Sequence, residues 1–443
     1  MVEPFADKWL RWCRAPDEGL SLVKVTRGID PAAVPCPAMF RPSPLLHAHT
    51  GEAIPHRLLP QGEKGYSSPM ISPRITRLIL TSFRSYLRLD LAVDAGMVAL
   101  TGHNGAGKTN VLEALSLLTQ GKGLRRAELE DMASEEGDGS FAVAVEAEGA
   151  LGPVYLGTGI EGPGQGPRKY RIDRQPVSSA AAFADHLRLV WLTPSMDGLF
   201  SGSAGERRRF LDRLVLAVDA GHGTRVNALE RALRSRNRLL EEPNADQRWL
   251  DAAEHEIADL AIAVAASRAD TVRRLAGLIE EEIDPASPFP YARIALDGAI
   301  ENAVLDEPAV AVEERYRQIL RDGRPRDRAA GRTLEGPHLT DLLVVHGPKG
   351  IAAERSSTGE QKALLLGLVL AHAGLVARLA GMAPIMLLDE VAAHLDPSRR
   401  AALYQKLKTF GAQVWLSGAD PTAFETIADC ATVLKVTPGR VDR

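Results

Sequence analysis

The apolar positions of this chain fall into blocks of different period, and the first block has no period. Residues 1–69 are rich in proline, weakly patterned and end in the loop-like run LLPQGEKGYSS, which predicts a poorly structured extension. Met70 stands immediately before the first well-patterned strand, so translation is expected to begin there. Ile75 to Phe83 is an apolar run, after which Leu87, Leu89, Leu91 and Val93 alternate with Arg88 and Asp90; this period of two predicts a strand pair entered as a hairpin. Gly96 to Thr101 reads as a short apolar strand. Val111, Leu112, Leu115 and Leu118 then form one stripe of a helix over Thr109 to Thr119. Residues 137–195 break short apolar runs with glycine and proline, the pattern of a small strand-rich insertion.

The period changes again at residue 206. Val226, Leu229 and Leu233 recur at helical spacing, as do Leu250, Ala253, Ile257, Leu260 and Val264 after Pro243, predicting a helical hairpin with EPNADQ as its turn. Beyond Pro285 strands and helices alternate once more, through a long helix from Gln361 to Leu379, the apolar strand PIMLLDE and a final strand QVWLS. The expected organisation is an extension (1–69), the first half of an α/β head (70–205), a helical arm (206–283) and the second half of the head (284–443).

Composition narrows the setting. Cys13, Cys36 and Cys430 have neither disulfide nor zinc-ligand spacing, so a reducing cytoplasm is expected. A net charge of -4 excludes a uniformly basic DNA-coating protein but permits a local basic surface. No apolar run reaches the roughly 18 residues of a membrane helix, the nearest, around Ile257 to Ala266, being interrupted by Asp259. Asp7, Lys8 and Arg11 interrupt any signal-peptide pattern, so neither membrane insertion nor secretion is expected.

Between the strand ending at Thr101 and the helix beginning near Thr109 lies GHNGAGKT, a phosphate-binding loop by spacing. Glycines at 102, 105 and 107 allow left-handed backbone conformations that turn successive N–H groups of Gly102, His103, Asn104, Gly105, Ala106 and Gly107 inward. The helix N-terminus adds its positive end, Lys108 reaches the β- and γ-phosphates of ATP, and the Thr109 hydroxyl can ligate Mg²⁺, with Asn110 next in line. Asp389 and Glu390 follow four apolar residues of PIMLLDE. Two adjacent carboxylates at a buried strand end need a partner, and Mg²⁺ held by Asp389, with Glu390 polarising the attacking water, supplies one. The alternative for this pair is a cap on a helix starting at Val391. The third element, SSTGEQK, offers Ser357 and Gly359 at the head of the long helix. In isolation it reads rather as an ordinary serine N-cap with Glu360 in the first turn, and only its order relative to the two stronger motifs favours an anion site.

The order of these elements, with Leu395 and Asp396 downstream, resembles the ABC ATPases. That resemblance implies ATP sandwiched between the phosphate loop of one subunit and Ser357 and Gly359 of another, with Asp396 crossing the interface. ITRLILTSFRSYLRLDL, GHNGAGKTNVLEALSLL, GKGLRRAELEDM, TPSMDGLFSGSAGERRRFLD, SRNRLL and EGPHLTDL further resemble, in order, the RecF family over residues 74–435. Thr358 and Glu360 stand where that family usually carries glutamine, and Leu339 with Thr340 replaces an Arg-Asp pair. Ser417 ends a strand where transporter ATPases place a switch histidine.

Arg231, Arg234 and Arg238 recur on one helical face, preceded by Arg207, Arg208 and Arg209. The spacing admits two readings, a solvated face or a phosphate-neutralising surface for DNA. The resemblance implies the second. It also implies an SMC/RecF-like α/β head and weak, DNA-associated ATPase activity, with an ATP-induced homodimer on duplex DNA or single-strand/duplex junctions. By the same resemblance the chain would cooperate with RecO and RecR in loading RecA during recombinational repair, replication restart and the SOS response. Other classes to be weighed are an ATPase subunit of an ABC transporter and a phosphate-transferring P-loop kinase.

Overall fold

The alternation between Ile75 and Val93 closes as a hairpin: β1 (Arg74–Phe83) and β2 (Tyr86–Ala92) pair antiparallel, with Phe83 opposite Tyr86. These belong to a computed structural model that describes residues 71–443 other than 163–165 and 245. The extension over 1–69, the expected start at Met70, Cys13 and Cys36 lie outside the described residues. In chain order there follow β3 (Met97–Thr101), α1 (Lys108–Ser116), β4 (Phe141–Gly149), β5 (Gly152–Ile160), β6 (Lys169–Ile172), β7 (Gln175–Val177) and β8 (Leu189–Leu192). The middle is helical: α2 (Ala204–Val218), α3 (His222–Glu241) and α4 (Gln247–Glu281), then β9 (Ala292–Asp297), α5 (Ala299–Asp306), α6 (Ala309–Asp322) and α7 (Arg324–Ala330). The last third carries β10 (Asp341–His346), β11 (Ile351–Ala352), α8 (Thr358–Ala380), β12 (Ile385–Leu388), α9 (Pro397–Phe410), β13 (Val414–Gly418), β14 (Ala431–Thr437) and β15 (Arg440–Asp442).

A parallel sheet in the order β14-β3-β13-β12-β8, with β15 antiparallel at its edge, is buried on both faces. Its strands therefore read as continuous apolar runs rather than alternations. Ile385 and Leu387 point into one core, shared with α1 and the antiparallel sheet β2-β1-β4-β5-β6-β7; Met386 and Leu388 point into the other, shared with α2, α8, α9 and the far half of α4. Truncating a leucine so placed to alanine typically costs about 2–5 kcal/mol.

Four expectations change. The strand-rich stretch is no insertion: β4 pairs along the length of β1, and β8 lies parallel beside β12, joining the sheet that also holds β3. QVWLS is followed by β14 and β15, whose apolar run is diluted by exposed edge positions such as Val433 and Lys435. The arm is also redrawn, because α2 packs in the head whereas α5 and α6 lie on α3 and α4, sharing a core of Leu229, Leu233, Ile257, Ile300, Val312 and Tyr316. Finally, the most apolar helix is α8 rather than the segment around Ile257: its 23 residues, at a mean hydropathy of 2.0, would suffice to cross a membrane, but two-thirds of that window is buried inside the head.

Candidate nucleotide site

Three neighbouring strands of the parallel sheet end side by side. The register sets Thr101 of β3 opposite Gly418 of β13, and Leu416 of β13 opposite Leu388 of β12. Gly102, Ser417 and Asp389 consequently emerge at one carboxyl edge, the position where open α/β sheets bind ligands.

The loop over Gly102–Gly107 is shaped by its glycines. Gly102, Gly105 and Gly107 have φ of 149°, 83° and 110°. A Cβ on Gly102 would lie 2.3 Å from the Val436 carbonyl oxygen and one on Gly107 would lie 2.8 Å from the Tyr86 hydroxyl, so neither position accepts another residue. Gly107 precedes α1 without any side-chain cap, leaving the first N–H groups of the helix for an anion. His103 and Asn104 are exposed on the rim, and Ala106 is buried beneath it. Lys108 is buried, its Nζ donating to the carbonyls of Gly102 (2.8 Å) and His103 (3.0 Å) and lying 3.6 Å from Glu390 Oε1. Asn110 donates to Ser85 Oγ (2.9 Å) and accepts from Arg125 (2.7 Å), which ties the start of α1 to the β1–β2 hairpin.

The acidic pair meets this loop across the sheet edge. Thr109 Oγ1 donates to Asp389, 3.0 and 3.1 Å from its two oxygens. Ser417 Oγ donates to Asp389 Oδ1 at 2.6 Å and accepts from the Glu390 amide at 2.9 Å. Burial pushes the Asp389 carboxyl up, while the Ser417 and Thr109 hydroxyls pull it down. Among the described residues no group of three or more His, Cys, Asp or Glu is placed to hold a metal. The hydroxyl–carboxylate pair nonetheless suits Mg²⁺, which takes most of its ligands from water and phosphate.

The remaining elements stand apart. Ser357 caps α8 in a reciprocal box with Glu360, whose carboxyl the Lys349 ammonium at 2.6 Å and the Ser357 amide hold down at about 2. Ser357, Thr358 and Gly359 are exposed. Asp396 is exposed too and caps α9 through the Arg399 amide (3.0 Å). Among the described residues no hydrogen bond or ion pair joins Ser357, Gly359 or Asp396 to the phosphate loop.

The arginines divide. Arg207 grips Asp341 with two bonds of 2.8 and 2.6 Å, and Arg208 donates to the Thr340 carbonyl at 2.8 Å. Both tie α2 to the chain at the start of β10, so their guanidinium groups are engaged within the fold. Arg209, Arg231, Arg234 and Arg238 are exposed, with Arg234 3.7 Å from Glu230. Sequence reasoning missed Arg236 in the same SRNRLL segment. It is fully buried and bonded to Glu254, Asp327, Thr333 and the Leu320 carbonyl. Its signal was its place in step with the apolar Leu229, Leu233 and Leu240.

Known proteins bear on this geometry. The profile of the RecF/RecN/SMC N terminal domain matches residues 74–441. The DNA replication and repair protein RecF of Mesorhizobium japonicum is 52% identical over 368 residues, covering 83% of this chain and 97% of its own length. Its counterpart in Brucella abortus is 51% identical over 368 residues, covering 83% of this chain and 95% of its own. A solved structure of the recombination mediator protein RecF-ATP in the RecFOR pathway shares the fold, with a TM-score of 0.75 at 20% identity over 85% of this chain and 99% of that one. An α/β ABC-type P-loop head carrying a helical arm, half-identical to these curated relatives along nearly their whole length, places the chain in the RecF family.

Proposed function

We propose that this chain is an ATP-dependent DNA clamp of recombinational repair and replication restart, working in the cytoplasm as an ATP-induced homodimer. The observation that carries the reading is the meeting of Lys108, Thr109, Asp389, Ser417 and Glu390 at one sheet edge, while Ser357, Gly359 and Asp396 stand exposed elsewhere. A triphosphate seated on the amides of 102–109 would draw Lys108 from its carbonyl contacts, because phosphate is the stronger partner for an ammonium. Bound Mg²⁺ would neutralise charge on the phosphates. Thr109 and Asp389 are the residues that would hold it. Glu390 orients the attacking water and accepts its proton as the γ-phosphate bond breaks. Ser357 and Gly359 of a second copy would close over the far side of the nucleotide, with Asp396 at the interface, and slow hydrolysis would reopen the pair. Relatives named for DNA replication and repair, and a fold neighbour named for the RecFOR pathway, support duplex or gapped DNA as the substrate and RecO, RecR and RecA as partners.

Light scattering and retention on gapped duplex, with Mg²⁺ and a non-hydrolysable ATP analogue, test the reading. Lys108→Met is expected to abolish dimerisation and DNA retention together, and Glu390→Gln to trap the nucleotide-bound dimer. A parent chain that stays monomeric with the analogue overturns the clamp.

A further inference from the structure

We infer that the cleft between the loop after α1 and the base of the arm is a second phosphate site, in which Arg126, Arg209 and Arg213 grip the sugar–phosphate backbone of nucleic acid. The inference rests on the DNA reading above and gives it a location. The cleft, of about 520 Å³, is walled by Gln120–Arg126, by α2 and by the first turns of α3. None of the phosphate-loop residues line it, although Arg125 in its wall reaches Asn110 at the start of α1 (2.7 Å).

Its charges are unbalanced. The Arg213 guanidinium stacks 5.1 Å over the Trp191 ring and 5.0 Å over Phe210, and its hydrogen-bond acceptor is the Met196 sulfur at 3.2 Å rather than a carboxylate. Burial, with Arg126 nearby, pushes this guanidinium down to about 9. Arg126 is lowered in turn by burial and by Arg209. Among the described residues neither Arg126 nor Arg209 has a hydrogen-bonded or ion-paired partner. The acids at hand are engaged elsewhere: Asp212 by Arg268 and His222, and Glu206 by the cap of α2. Three arginines therefore converge in a cleft whose two carboxylates, Asp212 and Glu206, are already bonded to other groups, in a chain whose net charge is -4. Arg126 also holds φ at 58°, a backbone conformation that residues other than glycine rarely adopt.

An extended polyanion fits better than a compact one. Asn227 lines the cleft, and Arg231, Arg234 and Arg238 follow it at steps of four, three and four residues along α3, which puts all four on one helical face. A basic track therefore leads from the cleft along the arm, as successive backbone phosphates require.

Anisotropy of a short labelled duplex over a salt series, using the full chain with Mg²⁺ and a non-hydrolysable ATP analogue, decides the matter. Replacing Arg126 and Arg209 together by alanine should weaken binding about 10- to 100-fold at low salt and make the slope of log K against log[salt] shallower by about two. Replacing both by lysine should restore the slope, and binding of the analogue should be unchanged in both variants. Duplex binding by the alanine variant with the parent's slope overturns the cleft and leaves the clamp standing. A parent chain that binds no duplex overturns both. Inorganic pyrophosphate that changes Trp191 fluorescence through these arginines without competing with duplex would assign the cleft to a free anion and overturn the backbone assignment.

Discussion

At the end of β13 one hydroxyl serves both acids of the candidate nucleotide site. Ser417 donates to Asp389 and accepts from the amide of Glu390, whose φ of 54° is left-handed and unfavourable for a residue with a side chain. The hydroxyl holds Glu390 in that conformation and orients the carboxylate of Asp389 toward Thr109. Without it the half-buried amide of Glu390 loses its partner, at a cost of about 1 kcal/mol. Ser417→Ala is expected to lower ATP turnover about tenfold or more, with nucleotide affinity changed less than about threefold, and Ser417→Thr to retain most of the activity. Steady-state kinetics beside equilibrium nucleotide binding separates the two effects; an equal loss in both would show that Ser417 only supports the loop.

The element that organises the head is α8. Its N-terminus begins at Thr358, earlier than the apolar stripe alone suggests, because the Ser357–Glu360 box and Lys349 secure the first turn. Farther along, buried His372 donates from Nε2 to the Leu214 carbonyl at 2.9 Å and links α8 to α2. Burial pushes this imidazole down to about 4 from its ordinary value near 6.5. The unfolded chain therefore takes up the proton first as pH falls, so the associated stability is fully present above about 6.5 and lost progressively toward 4. The shift corresponds to about 3 kcal/mol. Urea unfolding from pH 7 to 4 should show the parent losing about that much more stability than His372→Gln, and parallel pH profiles would refute the assignment.

On the scale of the molecule, head and arm have separate cores joined by polar clamps. Arg268 bridges them through Asp212 (2.8 Å), Glu301 (3.2 Å) and the Pro337 carbonyl (2.6 Å). Within the arm, Arg236 neutralises Glu254 at 3.0 Å and Asp327 at 2.8 Å, with Arg324 sharing Glu254. Removing one member of such a buried cluster strands its partners, at about 3–5 kcal/mol. Arg236→Met should therefore speed hydrogen exchange in α3, α6 and the adjoining half of α4 while α1 and β12 keep their protection and nucleotide binding persists. Loss of protection throughout the chain would show that head and arm unfold as one unit.

The periods of the sequence and its glycine spacing were enough for the β1–β2 hairpin, the strand–loop–helix around Lys108, the α3–α4 hairpin and the apolar strand before Asp389. Each of these depends on neighbours in the chain, and local sterics and side-chain direction act at that range. The family, too, was legible, because its motifs are runs of consecutive residues. The pairing of β4 with β1, the placement of β8 beside β12, the joining of α5 and α6 to the arm and the meeting of Ser417 with both acids were decided only in three dimensions. So was the fate of the arginines, since one residue type turned inward at Arg207, Arg208 and Arg236 and outward at Arg209, Arg231 and Arg238. The three that turned inward did so where folding brings a carboxylate or carbonyl to meet them, and that partner stands far away in the chain, where no local period can announce it.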